Sequence, residues 1–347
     1  MGSGLQGLLP IKLFSQGGGI LLAALLVLSS GITVSTCVNL YCRKPAWQEA
    51  TGVLLASINL LFILGFLWIC WFHWQIYAKL PLELPENLSG WVNSQLEIIN
   101  SNSDYGMPLY NPADPPRYRI PPWIENEKYY FWFMCYALMA LLVHFRLQAH
   151  RFRAVLHLFL AVQVAVLFWG VDPFNRPLPQ FFSEITPLYG AGPSLMQQAG
   201  YFMRIYPKMI FYYNAEYMWF HPPLLFISYG SITIMFITSV FMLIKRDLET
   251  EKIGYGYAKL GFFMLTVGML LGYPWALKAW GPNWWWDPKI CSSLMMWAVF
   301  STYLHTRLYA NKKSMWYFTA FLGIICFLAM IFTFLTSFYF PGEHTFQ

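Results

Sequence analysis

Residues 315–338 read MWYFTAFLGIICFLAMIFTFLTSF, twenty-four positions without a charged side chain. As an α-helix this run is about 36 Å long, enough to cross a hydrocarbon core of about 30 Å. Lys312 and Lys313 separate it from a second apolar run at 291–309, and further runs lie at 16–38, 52–76, 128–147, 154–171, 218–243 and 256–277. The pattern predicts an all-α polytopic transmembrane helical bundle of about eight spans, with long outer connections.

Composition agrees with this reading. Hydrophobic residues make up 57% of the 347 positions and charged residues 11%, more apolar surface than a soluble domain of this length can bury. The net charge of +6 resides mainly in the short connections, where it reports topology, and no basic stripe interleaved with polar contact residues points to nucleic acid. Six cysteines occur without a CxxC pair or zinc-ligand spacing. The absence of CxxCH means that the chain carries no covalent c-type heme of its own. The first apolar run lacks the flanks of a removable signal peptide and reads as a retained helix.

Arg43 and Lys44, then Arg146, Arg151 and Arg153, then Lys245, Arg246 and Lys252, then Arg307, Lys312 and Lys313 all fall on one side of an alternating path. By the positive-inside rule that side is cytoplasmic and both termini lie outside. The expected membrane is a prokaryotic plasma membrane or an organelle inner or thylakoid membrane. The outer side then receives segments 77–127 and 172–217 and a tryptophan-rich loop at 278–290. Within the second segment, 194–215 has the pattern of an amphipathic helix on the membrane surface.

The loop sequence WGPNWWWDPK at 280–289 places Trp280, Trp284, Trp285 and Trp286 within ten residues, beside Asn283, Asp287 and Lys289. Membrane boundaries enrich tryptophan in any multispan protein, but four indoles with two prolines and an acid make a wall suited to a flat aromatic ligand. His221 stands at the outer start of the fifth span and His344 just beyond the outer end of the eighth, at the level of this loop. Two neutral imidazoles supply the axial ligands that heme iron accepts.

These residues resemble the heme-handling family of cytochrome c maturation, the group that includes CcmF, CcmC and CcsA, through its WGxxWxWDP signature. His221-Pro222-Pro223-Leu224-Leu225 resembles the HPPLL segment of that family. Trp123 to Trp132, Asp172-Pro173-Phe174 and Gly192-Pro193-Ser194-Leu195-Met196-Gln197 are similar to further family stretches. The resemblance implies that His221 and His344 ligate a non-covalent heme b over the tryptophan loop. It implies further that this heme passes to the CxxCH cysteines of an apocytochrome c, with a heme chaperone or other maturation membrane subunits as partners, as in a heme lyase. It also implies a second, embedded heme on His305. Depth makes His144 the candidate partner, since both histidines lie 14–16 residues, about 21–24 Å, from the outer end of their spans. His157 and His73 are weaker choices. The family commonly has Glu shortly after WDP, where this chain has Ile290.

Two other classes compete with this one. A quinol-linked b-type electron-transfer subunit would carry histidine pairs about four turns apart on one helix, and no span here does. A heme-free transporter or channel would line its path with intramembrane ionisable groups, and the spans hold few carboxylates.

Overall fold

The computed structural model describes residues 3–42, 44–102, 106–189, 193–281, 284–309 and 311–342. Among these, twelve α-helices account for most of the chain, and the sole β feature is an isolated bridge between Pro81 and Arg117. The helices are α1 (Ser3–Leu8), α2 (Ile11–Cys42), α3 (Pro45–Lys79), α4 (Glu86–Ser101), α5 (Glu127–Arg146) and α6 (His150–Ala165). They continue with α7 (Pro179–Ile185), α8 (Leu195–Lys208), α9 (His221–Ile244), α10 (Leu248–Trp280), α11 (Pro288–Arg307) and α12 (Lys313–Tyr339).

All eight predicted spans lie on helices, and the chain is an integral membrane protein. Seven of them, on α2, α3, α5, α6, α9, α10 and α12, are long and apolar enough to cross a membrane. The remaining one, on α11, is a full 20-residue helix but carries Ser292, Ser293, Ser301, Thr302, His305 and Thr306, which dilute its hydropathy. Several helices outrun the apolar windows that predicted them: α3 begins at Pro45, whose ring favours a first helical turn, well before position 52. A polar residue at a helix end lowers local hydropathy without stopping the hydrogen-bond ladder.

Helix α9 is the axis of one half of the bundle, packing against α5, α6, α10 and α12, while α2, α3, α5 and α6 form the other half. The α9–α10 contact rests on glycines. Gly254, Gly261 and Gly268 recur every seven residues on α10, and an added Cβ at each would lie within 2.1, 2.9 and 2.9 Å of Thr238, Ser231 and Leu225 of α9. Seven-residue spacing keeps one face of a helix on its neighbour, and small residues let two backbones approach closely. Gly272 continues the stripe one turn on and meets His221. At the opposite end, Arg307 of α11 holds the buried carboxylate of Glu251 on α10 through two N–H···O contacts of 2.5 and 2.9 Å.

The connecting segments 80–126 and 172–220 pack on each other over the other end of the bundle. Tyr206 donates to the Pro108 carbonyl, the Asn214 side-chain amide bridges to Arg117 and Arg119, and His73 Nδ1 donates to Ile120 at 3.0 Å. The stretch expected to be helical at 194–215 forms α8, opened by a reciprocal Ser194–Gln197 cap, and runs on as a π-helical turn over Met209–Tyr213. Phe174 fills the space between α2 and α5, with its ring 5.4 Å from Phe14 and 5.5 Å from Tyr130. The stretches that carried the family resemblance outside the tryptophan loop therefore include a cap and a packing plug.

Candidate functional site

Where α9 begins, α10 ends and α11 begins, the helices splay around a cavity of about 610 Å³. That lies inside the roughly 300–1,000 Å³ range of cofactor pockets. Its floor is apolar, with Leu225, Phe226, Leu265 and Met269, and its walls are aromatic.

His221 is the first residue of α9, followed by two prolines that stiffen the first turn. Its Nδ1–H donates to the Gly268 carbonyl at 2.7 Å. Because a carbonyl can only accept, Nδ1 carries the proton in this bond, and in a neutral ring Nε2 is then the accepting nitrogen. The imidazole lies nearly parallel to Trp275, at 6.4 Å and 24°. Gly272 makes room for it, since a Cβ there would lie 2.7 Å from both Cε1 and Nδ1.

The tryptophan loop is held at both ends. Trp280 closes α10, Gly281 turns the chain at φ 75°, and Trp284–Trp286 form one 3₁₀ turn. Asp287 caps α11 by accepting from the N–H groups of Lys289 and Ile290, and Pro288 fills the first helical position. In the Trp-Asp-Pro signature, Asp and Pro are thus an N-cap and its preferred successor. Trp280, Trp284 and Trp285 line the cavity, with Trp284 stacked on Trp285 at 4.1 Å. Trp286 is 85% exposed and does not line it. Asn283 lies outside the described residues.

Sequence reasoning missed three aromatic walls. Trp275 donates its indole N–H to Phe211, Trp123 donates to Met218, and Tyr273 packs edge-on to Trp284. The glycines beneath His221 were also missed, although their seven-residue recurrence was visible.

Four charged side chains reach the cavity: Glu125, Lys128, Lys208 and Lys289. Glu125 sits at φ 48°, in the left-handed region, and its carboxyl accepts from the N–H groups of Gln180 and Phe181 at the start of α7. Burial pushes this carboxyl up to about 7 against the pull of those N–H groups. Lys208 is committed to an ion pair with Glu184. Ile290, where the resemblance expects an acid, contributes an apolar surface.

His344 lies outside the described residues. Gly342, the last described residue, sits against Asp287 and Pro288 of the tryptophan loop. The structure does not bring His144 and His305 together. His144 is buried beside His157, with ring centroids 5.2 Å apart, and its helix packs on α3, α6 and α9. His305 is exposed on α11, which packs on α10 and α12, and its Nδ1 donates to the Ser301 carbonyl at 2.8 Å. Equal depth had suggested a shared iron, but α9 stands between the two helices.

The sequence comparisons bear on this site directly. A family model described as cytochrome C assembly protein matches residues 125–344, which span every cavity-lining residue except Trp123 and Ile124. The chain belongs to this family. Relatives include the cytochrome c biogenesis protein CcsA of Chlamydomonas reinhardtii, 36% identical over 129 residues, and that of Cyanidium caldarium, 49% identical over 70. These matches cover 33% and 20% of this chain and 35% and 23% of those relatives, about a third or less of their length. The fold is that of a solved cytochrome c heme lyase CcmF, aligned over 93% of this chain and 47% of that one at TM-score 0.60 and 16% identity.

Proposed function

We propose that this cytochrome c biogenesis protein binds heme in the aromatic cavity, on the outer face of the membrane, and presents it for covalent attachment to an apocytochrome c. The observation that supports the reading is His221, which lines a cavity of cofactor size and is oriented by its Nδ1 bond to Gly268. The residues suit the substrate: flat indoles for the macrocycle, an imidazole for the iron and cations for its carboxylates. His344 would supply the second ligand to the iron. Its support is the path of the chain, which reaches the tryptophan loop two residues earlier.

Heme supplies two vinyl groups, and each thiol of an acceptor CxxCH adds across one, giving a thioether with no net oxidation. The protein's part is positioning. Trp280, Trp284 and Trp285 would wall the macrocycle, His221 would hold its iron, and the cap at Asp287 fixes the loop to α11. An acceptor histidine must replace one of the two ligands. His305, exposed and with Nδ1 bonded to its own helix, presents its lone pair outward, toward a second heme shared with another maturation subunit.

The test is co-expression with a CxxCH acceptor and measurement of covalent heme in that acceptor. Wild type yields holocytochrome, while His221→Ala and His344→Ala lose it singly and together. Full yield from the double variant would sink the proposal.

A further inference from the structure

A second cavity, of about 510 Å³, adjoins the aromatic one. Gln180 of α7 and Lys208 of α8 line both, so the two spaces share these residues as a wall. The first cavity has an apolar floor, whereas Ser183, Glu184, Tyr201 and Arg204 line the second. A polar lining of this kind suits a ligand with alternating hydrogen-bond donors and acceptors, such as a peptide backbone, more than a hydrocarbon ring.

The shared wall is clamped in a strained backbone. Leu178, just before α7, sits at φ 40°, in the left-handed region that a leucine rarely adopts, and its N–H donates to Glu127 at 3.0 Å. The N–H groups of Gln180 and Phe181 donate to Glu125, itself at φ 48°. Two carboxylates at the opening of α5 thus fix the first turn of α7 where Gln180 meets both cavities. Strain persists where the surrounding structure over-determines it, and here it holds a partition between two spaces.

One acceptor in that wall is left over. Glu184 Oε1 takes the Lys208 ammonium and the Gln180 side-chain amide, the latter at 3.4 Å, while the buried Oε2 has no hydrogen-bond partner among the described residues. A buried carboxylate oxygen without a donor carries a desolvation cost that an incoming N–H removes. Arg204, one turn before Lys208 on α8, is exposed and brings guanidinium donors to the same cavity. Acceptor and donors together complement the N–H and C=O groups of an extended chain.

We infer that the second cavity seats the acceptor segment whose thiols react in the first, with backbone carbonyls accepting from Arg204 and one N–H donating to Glu184. The inference rests on the reading of the aromatic cavity as the heme site and adds where the second substrate binds. Each addition consumes one S–H bond and one vinyl π bond and forms one C–S and one C–H bond, so no further reactant is needed and the seat supplies position alone. The wall of Gln180 and Lys208 lets a peptide lie against the macrocycle's cavity without entering it.

The test titrates a fluorescein-labelled peptide containing SxxSH, in which serines replace both cysteines so that no covalent bond forms, into the full chain in detergent. Anisotropy reads peptide binding, and absorption reads bound heme on the same samples. Ser183→Trp fills the second cavity from an exposed position and Arg204→Ala removes the donor; neither residue lines the first cavity. Ser183→Trp should abolish peptide binding and Arg204→Ala should weaken it about tenfold, the size expected for one hydrogen bond to a charged group. Both variants should keep wild-type heme content. Absence of peptide binding by wild type, or unaltered peptide affinity in both variants, overturns the seat and leaves the heme reading intact. A wild type that holds no heme yet binds the peptide through these two residues overturns the heme reading and supports the seat.

Discussion

Gly272→Ala places a methyl group at the foot of the candidate ligand. The ideal Cβ position lies 2.7 Å from Cε1 and Nδ1 of His221 and 3.2 Å from Nε2. Carbon atoms in contact rest at about 3.5–4.0 Å, so the imidazole must retreat by about 1 Å. Pro222 and Pro223 stiffen the turn that carries the ring, so the shift falls on its side-chain torsions and on the 2.7 Å bond to Gly268. Overpacking of this kind costs about 1–3 kcal/mol, and the lost bond about 0.5–1.5 kcal/mol. Removing an orienting partner of a metal ligand typically lowers affinity about 10–100-fold. Heme titration of the purified protein, followed by absorption, should show a loss of that size. Gly256→Ala is the matched control, because nothing lies within 4 Å of its Cβ position on the same helix. Wild-type affinity and spectrum in Gly272→Ala would refute the assignment of His221 as a ligand oriented by α10.

Three further outcomes follow from the same geometry. Trp284→Ala should deplete bound heme severely, whereas Trp286→Ala, at a residue 85% exposed and off the cavity wall, should leave heme content near wild type. Asp287→Ala removes the cap of α11 and should cost about 1 kcal/mol in thermal or denaturant unfolding, while Asp287→Asn, which keeps the acceptor, should cost much less. For Glu125, the folded carboxyl titrates at about 7 against an ordinary 4.5, so it stays protonated where the unfolded chain has ionised. Its contribution is complete below about 4.5 and is lost as pH rises to about 7, by at most about 3 kcal/mol. Unfolding of wild type and Glu125→Gln across that window should show a shallower pH slope in the variant, and parallel curves would contradict the assignment.

The bundle was legible because lipid imposes a simple rule, long uncharged runs separated by basic turns, and residues 315–338 display it in one line. The helix ends were less legible: hydropathy cannot see that Pro45 starts α3 long before the apolar stretch does. For the site, Trp280, Trp284 and Trp285 were readable from density of indoles and His221 from its place at a span end. Trp123 and Trp275 were not, because their approach depends on how segments 80–126 and 207–218 fold over the bundle. Depth along a span is a one-dimensional quantity, and that is why it paired His144 with His305 across an intervening α9. Asp287 illustrates the opposite case. A residue read as facing the ligand is engaged in capping α11, and the chemistry of the motif is partly the chemistry of a helix start.

Iron ligation by His221 is tested by the absorption spectrum of the purified protein with His221→Gly, recorded with and without imidazole in the buffer. Wild type should show a low-spin, six-coordinate heme. The glycine variant should lose it, and free imidazole entering the space left by the side chain should restore it. A low-spin heme that persists unchanged in His221→Gly without imidazole would contradict the account.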